Sequence, residues 1–350
     1  MIQLPGLIDP HVHLRDPGQT DKEDFYTGTS AALAGGYTTV VDMPNNVEPV
    51  MTEVVLAKKK LIAQEKTACD IGFYFGSLGD NLEEFPKIRQ SVLGLKLYLN
   101  FTTGGFIIDE PALQRIFSAW NEVTSGSKPI LLHAEEDVME AVIKAIGNTR
   151  QPTHICHVSS KDELSQIIKA KEDGLPITCG VCPHHLFLTE ADVPRLGGFG
   201  LMKPSLKAKN DQEYLWNNMR YVDVIESDHA PHTYEEKQYA APPFGVPGLE
   251  TTLPLMLTAV EDKRITLDEV IAKCHDNPKK ILHLADQKDT YIEVDPIEYE
   301  IRNELLFTKC KWSPFNGMKV RGKVVKTVIR GRTVFEHGVV KAGPGSGEVI

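Results

Sequence analysis

Two histidines near the amino terminus, His11 and His13, are spaced for metal binding. They flank Val12 at the end of an apolar run typical of a β-strand, and residues i and i+2 of a strand project from the same face. Neutral imidazole is a common ligand of transition-metal ions, so both rings can reach one ion. On its own, the pair leaves open a second interpretation, two structural histidines with satisfied hydrogen bonds.

Further candidate ligands end other predicted strands. His133 closes one apolar run, His157 closes the next, and Asp228 follows another in Glu-Ser-Asp-His-Ala-Pro-His. Buried structural histidines would rarely be distributed in this way by chance. Imidazole nitrogens with a carboxylate suit zinc or a similar divalent ion. The sequence therefore predicts a metal centre at these strand ends.

One lysine, Lys96, interrupts an otherwise apolar predicted strand, Leu-Gly-Leu-Lys-Leu-Tyr-Leu. A lysine that extends its amine to solvent from the strand end is one interpretation. The other is chemical: burial lowers the pKa of an amine, and a neutral amine can add carbon dioxide to form an anionic carbamate with two oxygens. Such a carbamate can bridge two cations.

The elements that must position these residues alternate in type. Between Pro5 and about Val260, eight apolar runs at 6–11, 38–43, 71–75, 93–99, 130–133, 154–158, 177–181 and 222–227 are separated by helix-patterned or loop segments. Helices are predicted at 24–34, 52–65, 109–121, 136–146, 160–173 and 210–219. The repeat favours a closed (β/α)8 TIM-type barrel, an α/β fold with its active site at the carboxyl ends of the strands. An open doubly wound sheet is disfavoured because no glycine-rich phosphate motif follows the first strand.

The pattern changes after residue 251. Consecutive helices are predicted at 252–262 and 266–274, and a third begins at Asn277. From Thr290 onward polar and apolar residues alternate, which indicates short antiparallel strands. We expect a barrel domain over residues 5–285 and a small β-module formed mainly by 286–350, with residues 1–4 attached to it.

The composition favours an enzyme that acts on a small molecule. With 38 Lys and Arg against 48 Asp and Glu, the formal net charge is −10, which argues against nucleic-acid or anionic-membrane partners. There is no apolar segment of about 20 residues and no signal-peptide pattern, so we expect a cytoplasmic protein.

The six cysteines lack the spacing of a disulfide scaffold. Cys182 is predicted to be a buried thiol, and Cys156 a packed thiol that faces away from His157.

Taken together, the motifs resemble a known family. His11-Val-His-Leu-Arg-Asp-Pro-Gly18, Lys96, His133, His157 and Ser227-Asp-His-Ala-Pro-His232 have the order and spacing of the dihydroorotase branch of the amidohydrolase superfamily. The resemblance covers nearly the whole chain. It implies a barrel with two zinc ions, one bound by His11, His13 and Asp228 and the other by His133 and His157, bridged by carboxylated Lys96 and a hydroxide.

The same resemblance implies substrate contacts from Arg15, Asn45, His232, Gly245 and a threonine of the loop after the fourth strand, either Thr102 or Thr103. A guanidinium can bind a carboxylate through two parallel hydrogen bonds, which is consistent with the role implied for Arg15. The other interpretation of Asn45 is that it is a turn residue after Pro44. Lys203 stands near the place where many bacterial members of the family carry an asparagine and an arginine, which leaves the contacts to the far side of the substrate open.

The implied reaction is the reversible cyclisation of N-carbamoyl-L-aspartate to L-dihydroorotate in de novo pyrimidine biosynthesis. A zinc-bound hydroxide would attack the cyclic amide, and Asp228 would serve as general acid and base. The resemblance also implies a homodimer and leaves open a complex with aspartate transcarbamoylase. Alternatives are another cyclic amidase, namely a dihydropyrimidinase, hydantoinase or allantoinase, and an inactive structural partner of aspartate transcarbamoylase. Arg15 argues against uncharged rings, and the intact ligand set argues against inactivity.

Overall fold

The computed structural model describes residues 1–102 and 107–350. After a short first strand, β1 (Ile2–Pro5), the chain forms a ring of parallel strands. Within the described residues these are β2 (Leu7–Val12), β3 (Tyr37–Asp42), β4 (Asp70–Gly76), β5 (Gly94–Tyr98), β6 (Ile130–His133), β7 (Thr153–Ile155), β8 (Ile177–Val181) and β9 (Val224–Ile225). Neighbours pair in chain order, and a bridge between Val12 and His229 joins the last segment to β2. The predicted (β/α)8 barrel is confirmed.

Helices follow most of these strands. They are α1 (Phe25–Ala34), α2 (Glu53–Lys66), α3 (Phe85–Ile88), α4 (Glu110–Thr124), α5 (Met139–Thr149), α6 (Lys161–Glu172), α7 (Pro183–Phe187), α8 (Val193–Leu196), α9 (Lys209–Asn217), α10 (Thr252–Glu261), α11 (Leu267–Ile271) and α12 (Asn277–Ile281). Asp24 and Ser160 cap α1 and α6 with reciprocal side-chain bonds. The helix predicted at 266–274 stops at Ile271 and continues as a π-helical turn, Ala272–Asp276.

The barrel strands are buried along their length, as expected of strands covered by helices on one side and packed together on the other. Every residue of β2, β3, β4 and β5 is buried. Strands β7 and β9 are shorter than the predicted 154–158 and 222–227. Their carboxyl ends turn early because His157 and Asp228 adopt left-handed backbone conformations, with φ of 40° and 43°.

A separate antiparallel sheet lies beside the barrel. Its strands pair in the order β1, β10 (Tyr291–Glu300), β11 (Lys319–Ile329), β12 (Arg332–Glu336) and β13 (Val339–Val340). In this register Leu4 lies opposite Ile292, and both side chains are buried. The predicted β-module, with its N-terminal strand, is confirmed. Across residues 1–102 and 107–350, no helix is both long and apolar enough to span a membrane.

Candidate metal centre and substrate cavity

The carboxyl ends of the barrel strands bring the first predicted ligand group together. His11 lies in β2 and His13 directly follows this strand. The Nε2 atom of each ring lies 3.2 Å from Oδ1 of the Asp228 carboxylate. The three ligand atoms lie within 4.8 Å of one another, and all three residues are buried. This arrangement can hold one divalent ion.

The second predicted group lies alongside. Nδ1 of His133 is 3.1 Å from Nε2 of His157, so two ring nitrogens face each other in the way that ligands of a shared ion do. The ring centroids of His11 and His157 are 5.1 Å apart, which places the two groups next to each other. The structure therefore gathers all five histidine and aspartate ligands predicted from the sequence.

Lys96 completes the set from β5. The residue has no solvent exposure, and its Nζ has no hydrogen-bond partner among the described residues. It lies 5.1 Å from the centroid of the Tyr98 ring. A buried amine without an acceptor is unfavourable, whereas a carbamate at the same position would offer two oxygens to cations held by the surrounding histidines. The site thus fits the metal pair that the family implies.

A second layer of polar groups orients the ligands. Nδ1 of His13 donates to Oδ1 of Asn45 at 2.7 Å, which leaves Nε2 as the ligand atom. Glu226 accepts the backbone N–H of His157 at 2.5 Å and lies 3.5 Å from Nδ1 of His11. The sequence analysis missed this glutamate. Its place two residues before Asp228, directly after β9, is the signal that could have identified it.

Cys156 does not face away from the site as predicted. Its thiol, His11 and Glu226 form a further group of potential ligand atoms within 4.8 Å of one another. The prediction assumed that a strand alternates through residue 158, but β7 ends at Ile155. Alternation of side chains therefore does not apply to Cys156 and His157.

Backbone strain concentrates at the same place. Arg15, His157 and Asp228 have φ of 63°, 40° and 43°, in the left-handed region that residues other than glycine rarely adopt. Such conformations persist when the surrounding structure imposes them, and they cluster at functional sites. Here they aim a guanidinium, an imidazole and a carboxylate into one cavity.

The electrostatics suit cation binding. Burial lowers the pKa of His13 to about 4, and it also holds the pKa values of His133 and His157 below their usual range, so these rings are neutral. His11 differs: burial and Lys96 oppose its protonated form, but the carboxylate of Asp228 and the Cys156 thiol raise its pKa to about 10. The carboxylate beside His11 therefore favours a positive charge, which a metal ion can supply in place of the proton.

A cavity opens onto this centre. Besides the metal ligands, the residues that line it include Arg15, Asn45, Thr102, Lys203 and Gly245. Four of these are predicted substrate contacts, and Lys203 adds a cation to the lining. The remaining loop candidate, Thr103, lies outside the described residues.

Arg15 is buried, although it carries a permanent charge. Its Nε donates to the carbonyl of Pro231 at 3.0 Å, and its terminal nitrogen lies 3.2 Å from Nε2 of His232. His232 is not one of the described residues that line the cavity. It lies behind Arg15, with Nε2 also 2.9 Å from the carbonyl of Phe244.

The fold and the site define a hydrolase class. The model of the amidohydrolase family matches residues 2–184. The chain therefore belongs to the amidohydrolase family.

Curated relatives narrow the position within that family. The chain is 36% identical over 379 residues to the dihydroorotase of Pyrococcus horikoshii, with all of this chain and 84% of that protein covered. It is 43% identical over 353 residues to the multifunctional protein CAD of Squalus acanthias, but it spans only 16% of that protein's length. These matches place the chain in the dihydroorotase branch.

Solved structures share the fold. The L-hydantoinase (dihydropyrimidinase) from Arthrobacter aurescens superposes with a TM-score of 0.94 at 25% identity, covering 99% of this chain and 88% of that one. The inactive dihydroorotase-like domain of a CAD-like multifunctional protein from Chaetomium thermophilum gives a TM-score of 0.85 at 27% identity, covering 100% and 99%. The neighbours thus include cyclic amidases of another type and an inactive domain.

Proposed function

We propose that the chain is a dihydroorotase that interconverts N-carbamoyl-L-aspartate and L-dihydroorotate. The observation that carries the proposal is the buried guanidinium of Arg15, which lines the same cavity as His11, His13 and Asp228. A buried cation beside a metal centre favours a substrate with a carboxylate, which the guanidinium can bind through paired hydrogen bonds. Dihydroorotate carries such a carboxylate on its cyclic amide.

The metal complement belongs to the same proposal. Two zinc ions would be held by His11, His13 and Asp228 on one side and by His133 and His157 on the other, with carboxylated Lys96 between them. When bound, such ions supply a Lewis acid for the amide oxygen and a water that ionises near neutral pH. The lowered pKa values of His13, His133 and His157 support this assignment, as does the buried amine of Lys96, which has no hydrogen-bond partner among the described residues.

Asp228 would move the proton. Burial alone would raise the pKa of its carboxyl, but the adjacent His11 and His13 outweigh this effect and hold the pKa below its usual range. The carboxylate is therefore ionised at neutral pH and can take a proton from the attacking water. It would then deliver that proton to the departing ring nitrogen, and the same steps in reverse would close the ring.

Arg15, Asn45 and the cavity loop would orient the substrate. Arg15 is held by the Pro231 carbonyl, so its terminal nitrogens are directed before substrate arrives. Thr102 lines the cavity, whereas His232 would act on the carboxylate by positioning Arg15. Such preorganisation reduces the entropy lost on binding. Lys203 would add a second cation for substrates in their open, doubly anionic form.

Two other functions remain as alternatives. Another cyclic amidase is favoured by the likeness to a hydantoinase, yet an uncharged ring would leave the buried guanidinium of Arg15 without a carboxylate partner. An inactive role is favoured by the likeness to an inactive domain, yet the six expected ligand positions of this chain all carry ligand side chains. A homodimer, a complex with aspartate transcarbamoylase, a cytoplasmic location and the boundary near residue 285 stay predictions.

The direct test is turnover by purified, zinc-supplemented protein of dihydroorotate, dihydrouracil and allantoin. We expect activity on dihydroorotate alone, and its loss in His13→Ala. The matched control is His337→Asn, which changes an exposed histidine in a turn and should keep wild-type activity. Activity on an uncharged ring only would transfer the assignment to another cyclic amidase. Inactivity on all three by metal-loaded protein would favour the structural role.

A further inference from the structure

A second cluster of ligand-type side chains lies at the start of α7, outside the residues assigned to the metal centre. Cys182, His184 and His185 each direct one potential ligand atom to the same point, with these atoms within 4.8 Å of one another. Their exposures are 0%, 2% and 3%, so the cluster is closed to bulk solvent. We refer to these three residues as the cysteine cluster.

Local backbone geometry creates this convergence. Strand β8 ends at Val181, and Cys182 caps α7 in an extended conformation, with φ of −103° and ψ of 145°. Pro183 occupies the first turn, where its fixed φ suits a helix start. The N–H of His185 donates to the carbonyl of Cys182 at 3.0 Å, and this tight turn brings the thiol and both rings to one side.

The hydrogen bonds of His185 prepare it as a ligand. Its Nε2 lies 3.0 Å from the carbonyl oxygen of Pro204, and because a carbonyl can only accept, this nitrogen carries the proton. In the neutral ring, Nδ1 then holds a lone pair, and this buried atom has no hydrogen-bond partner in the part of the chain that the structure describes. Metal-bound histidines usually donate their other N–H to a carbonyl or carboxylate in this way.

The neighbouring His184 shows the same feature as His185. Its Nε2 is buried and also has no hydrogen-bond partner within residues 1–102 and 107–350. The two rings stand edge to face, with centroids 4.4 Å apart. Two adjacent buried ring nitrogens without partners are unusual in a folded protein and call for an explanation such as a bound ion. A thiol beside them supplies the third donor.

We propose that the cysteine cluster binds a thiophilic divalent ion, zinc above all, separate from the metal centre. One thiolate and two imidazoles are typical zinc donors, and three protein ligands leave a fourth position for water. The ion would fix α7 to the segment that carries Pro204, whose neighbour Lys203 lines the substrate cavity. The site would thereby steady that wall of the cavity. This inference does not depend on the proposed activity.

The other cysteine-containing group provides an internal comparison. Cys156 lies near His11 and Glu226, but His11 is already part of the metal centre. The donors proposed for that centre are nitrogen and oxygen atoms only. Because the Cys156 thiol lies near His11, the substitution Cys156→Ser is needed to separate a thiolate–metal signal of the cysteine cluster from one at the metal centre.

The test uses the full chain loaded with Co²⁺, because a thiolate ligand gives a sulfur-to-cobalt charge-transfer band that nitrogen and oxygen ligands do not. We expect the band in the wild type. Cys182→Ser should lose the band and should bind about one ion fewer per chain. Cys156→Ser and Cys179→Ser should keep the band. Absence of the band in the wild type, or its retention in a Cys156→Ser protein that also carries Cys182→Ser, would overturn the proposal.

A second variant covers the case in which Cys182→Ser does not fold. His185→Gln keeps the thiol and should shift the visible cobalt bands and weaken binding of one ion at least tenfold. An unchanged spectrum and unchanged stoichiometry in a folded His185→Gln protein would contradict the assignment. Dihydroorotate turnover is recorded separately, so failure of this site and failure of the proposed activity are distinguishable.

Discussion

Gly180 makes room for the carboxylate of Glu226. A Cβ atom at position 180 would lie 2.5 Å from Oε1 of Glu226 and 3.1 Å from Nε2 of His154. The carboxylate in that space accepts the N–H of His157 and faces His11. Gly180 on β8 therefore leaves the space in which Glu226, after β9, contacts the residues of the metal centre.

Gly180→Ala should destabilise the protein by about 1–3 kcal/mol, because the added methyl group must displace a buried carboxylate. Urea unfolding measures the effect. Gly147→Ala is the matched control: nothing lies within 4 Å of a Cβ at that helical position, so stability should stay the same or rise by up to about 1 kcal/mol. Equal effects of the two substitutions would show that Gly180 and Glu226 are not coupled.

Glu226→Gln should weaken metal binding roughly 10–100-fold, since outer partners orient the ligand imidazoles and increase their basicity. The amide keeps the size of the side chain but loses the charge that faces His11. Competition with a chromophoric chelator gives the affinity. Glu250→Gln, which changes a carboxylate bonded to the N–H groups of Phe307 and Thr308, should leave metal affinity unchanged. Comparable losses in both variants would mean that the effect is one of general stability.

Carboxylation of Lys96 predicts a spectroscopic signal. Protein reconstituted with zinc in ¹³C-bicarbonate should show a carbamate resonance, because the buried amine has no hydrogen-bond partner among the described residues. Lys96→Arg cannot form the carbamate, and it should lose the resonance, part of the bound metal and at least about 100-fold in activity, roughly 2.7 kcal/mol. A fully active, metal-loaded wild type without the resonance would contradict the carbamate.

Glu163 should make stability depend on pH. Burial raises the pKa of its carboxyl to about 7, only partly offset by the N–H groups of Ser159 and Ser160. The folded state then holds a proton that the unfolded state releases near pH 4.5. This stabilisation is present below about pH 4.5 and is lost as pH rises through about 7, on the order of 3 kcal/mol in all.

Glu163→Gln mimics the protonated acid and should remove this component. The measurement is the unfolding free energy of both proteins between about pH 4.5 and 8, where wild type should lose stability relative to the variant. Glu172→Gln, on the exposed side of the same helix, should follow the wild type. Parallel curves for wild type and Glu163→Gln would contradict the raised pKa.

Much of the barrel followed from periodicity. The strands predicted at 130–133 and 177–181 coincide with β6 and β8, since apolar runs of this kind need no tertiary information to be recognised. The early ends of β7 and β9 could not be predicted from the apolar pattern. They depend on left-handed backbone at His157 and Asp228, which packing around the site imposes on residues that do not favour it.

The sequence likewise predicted some residues of the candidate site and missed others. Spacing and strand ends pointed to His11, His13, His133, His157 and Asp228, because parallel strands deliver their ends to one face. Glu226 and the cysteine cluster were missed because each depends on contacts across the fold, such as the carbonyl of Pro204 that fixes the ring of His185. Sequence alone shows which ligand types are present, but not which buried nitrogens lack partners.

The most direct test of the account is substrate discrimination by Arg15, measured as kcat/KM for dihydroorotate and for dihydrouracil in wild type and Arg15→Met. We predict that wild type strongly prefers the carboxylate-bearing ring. The substitution should lower kcat/KM for dihydroorotate about 10–100-fold or more, as expected for a charged hydrogen bond of about 1.5–3 kcal/mol, and leave the value for dihydrouracil nearly unchanged. A wild type that prefers dihydrouracil, or an Arg15→Met protein with undiminished selectivity, would contradict the proposal that this site recognises a carboxylate on a cyclic amide.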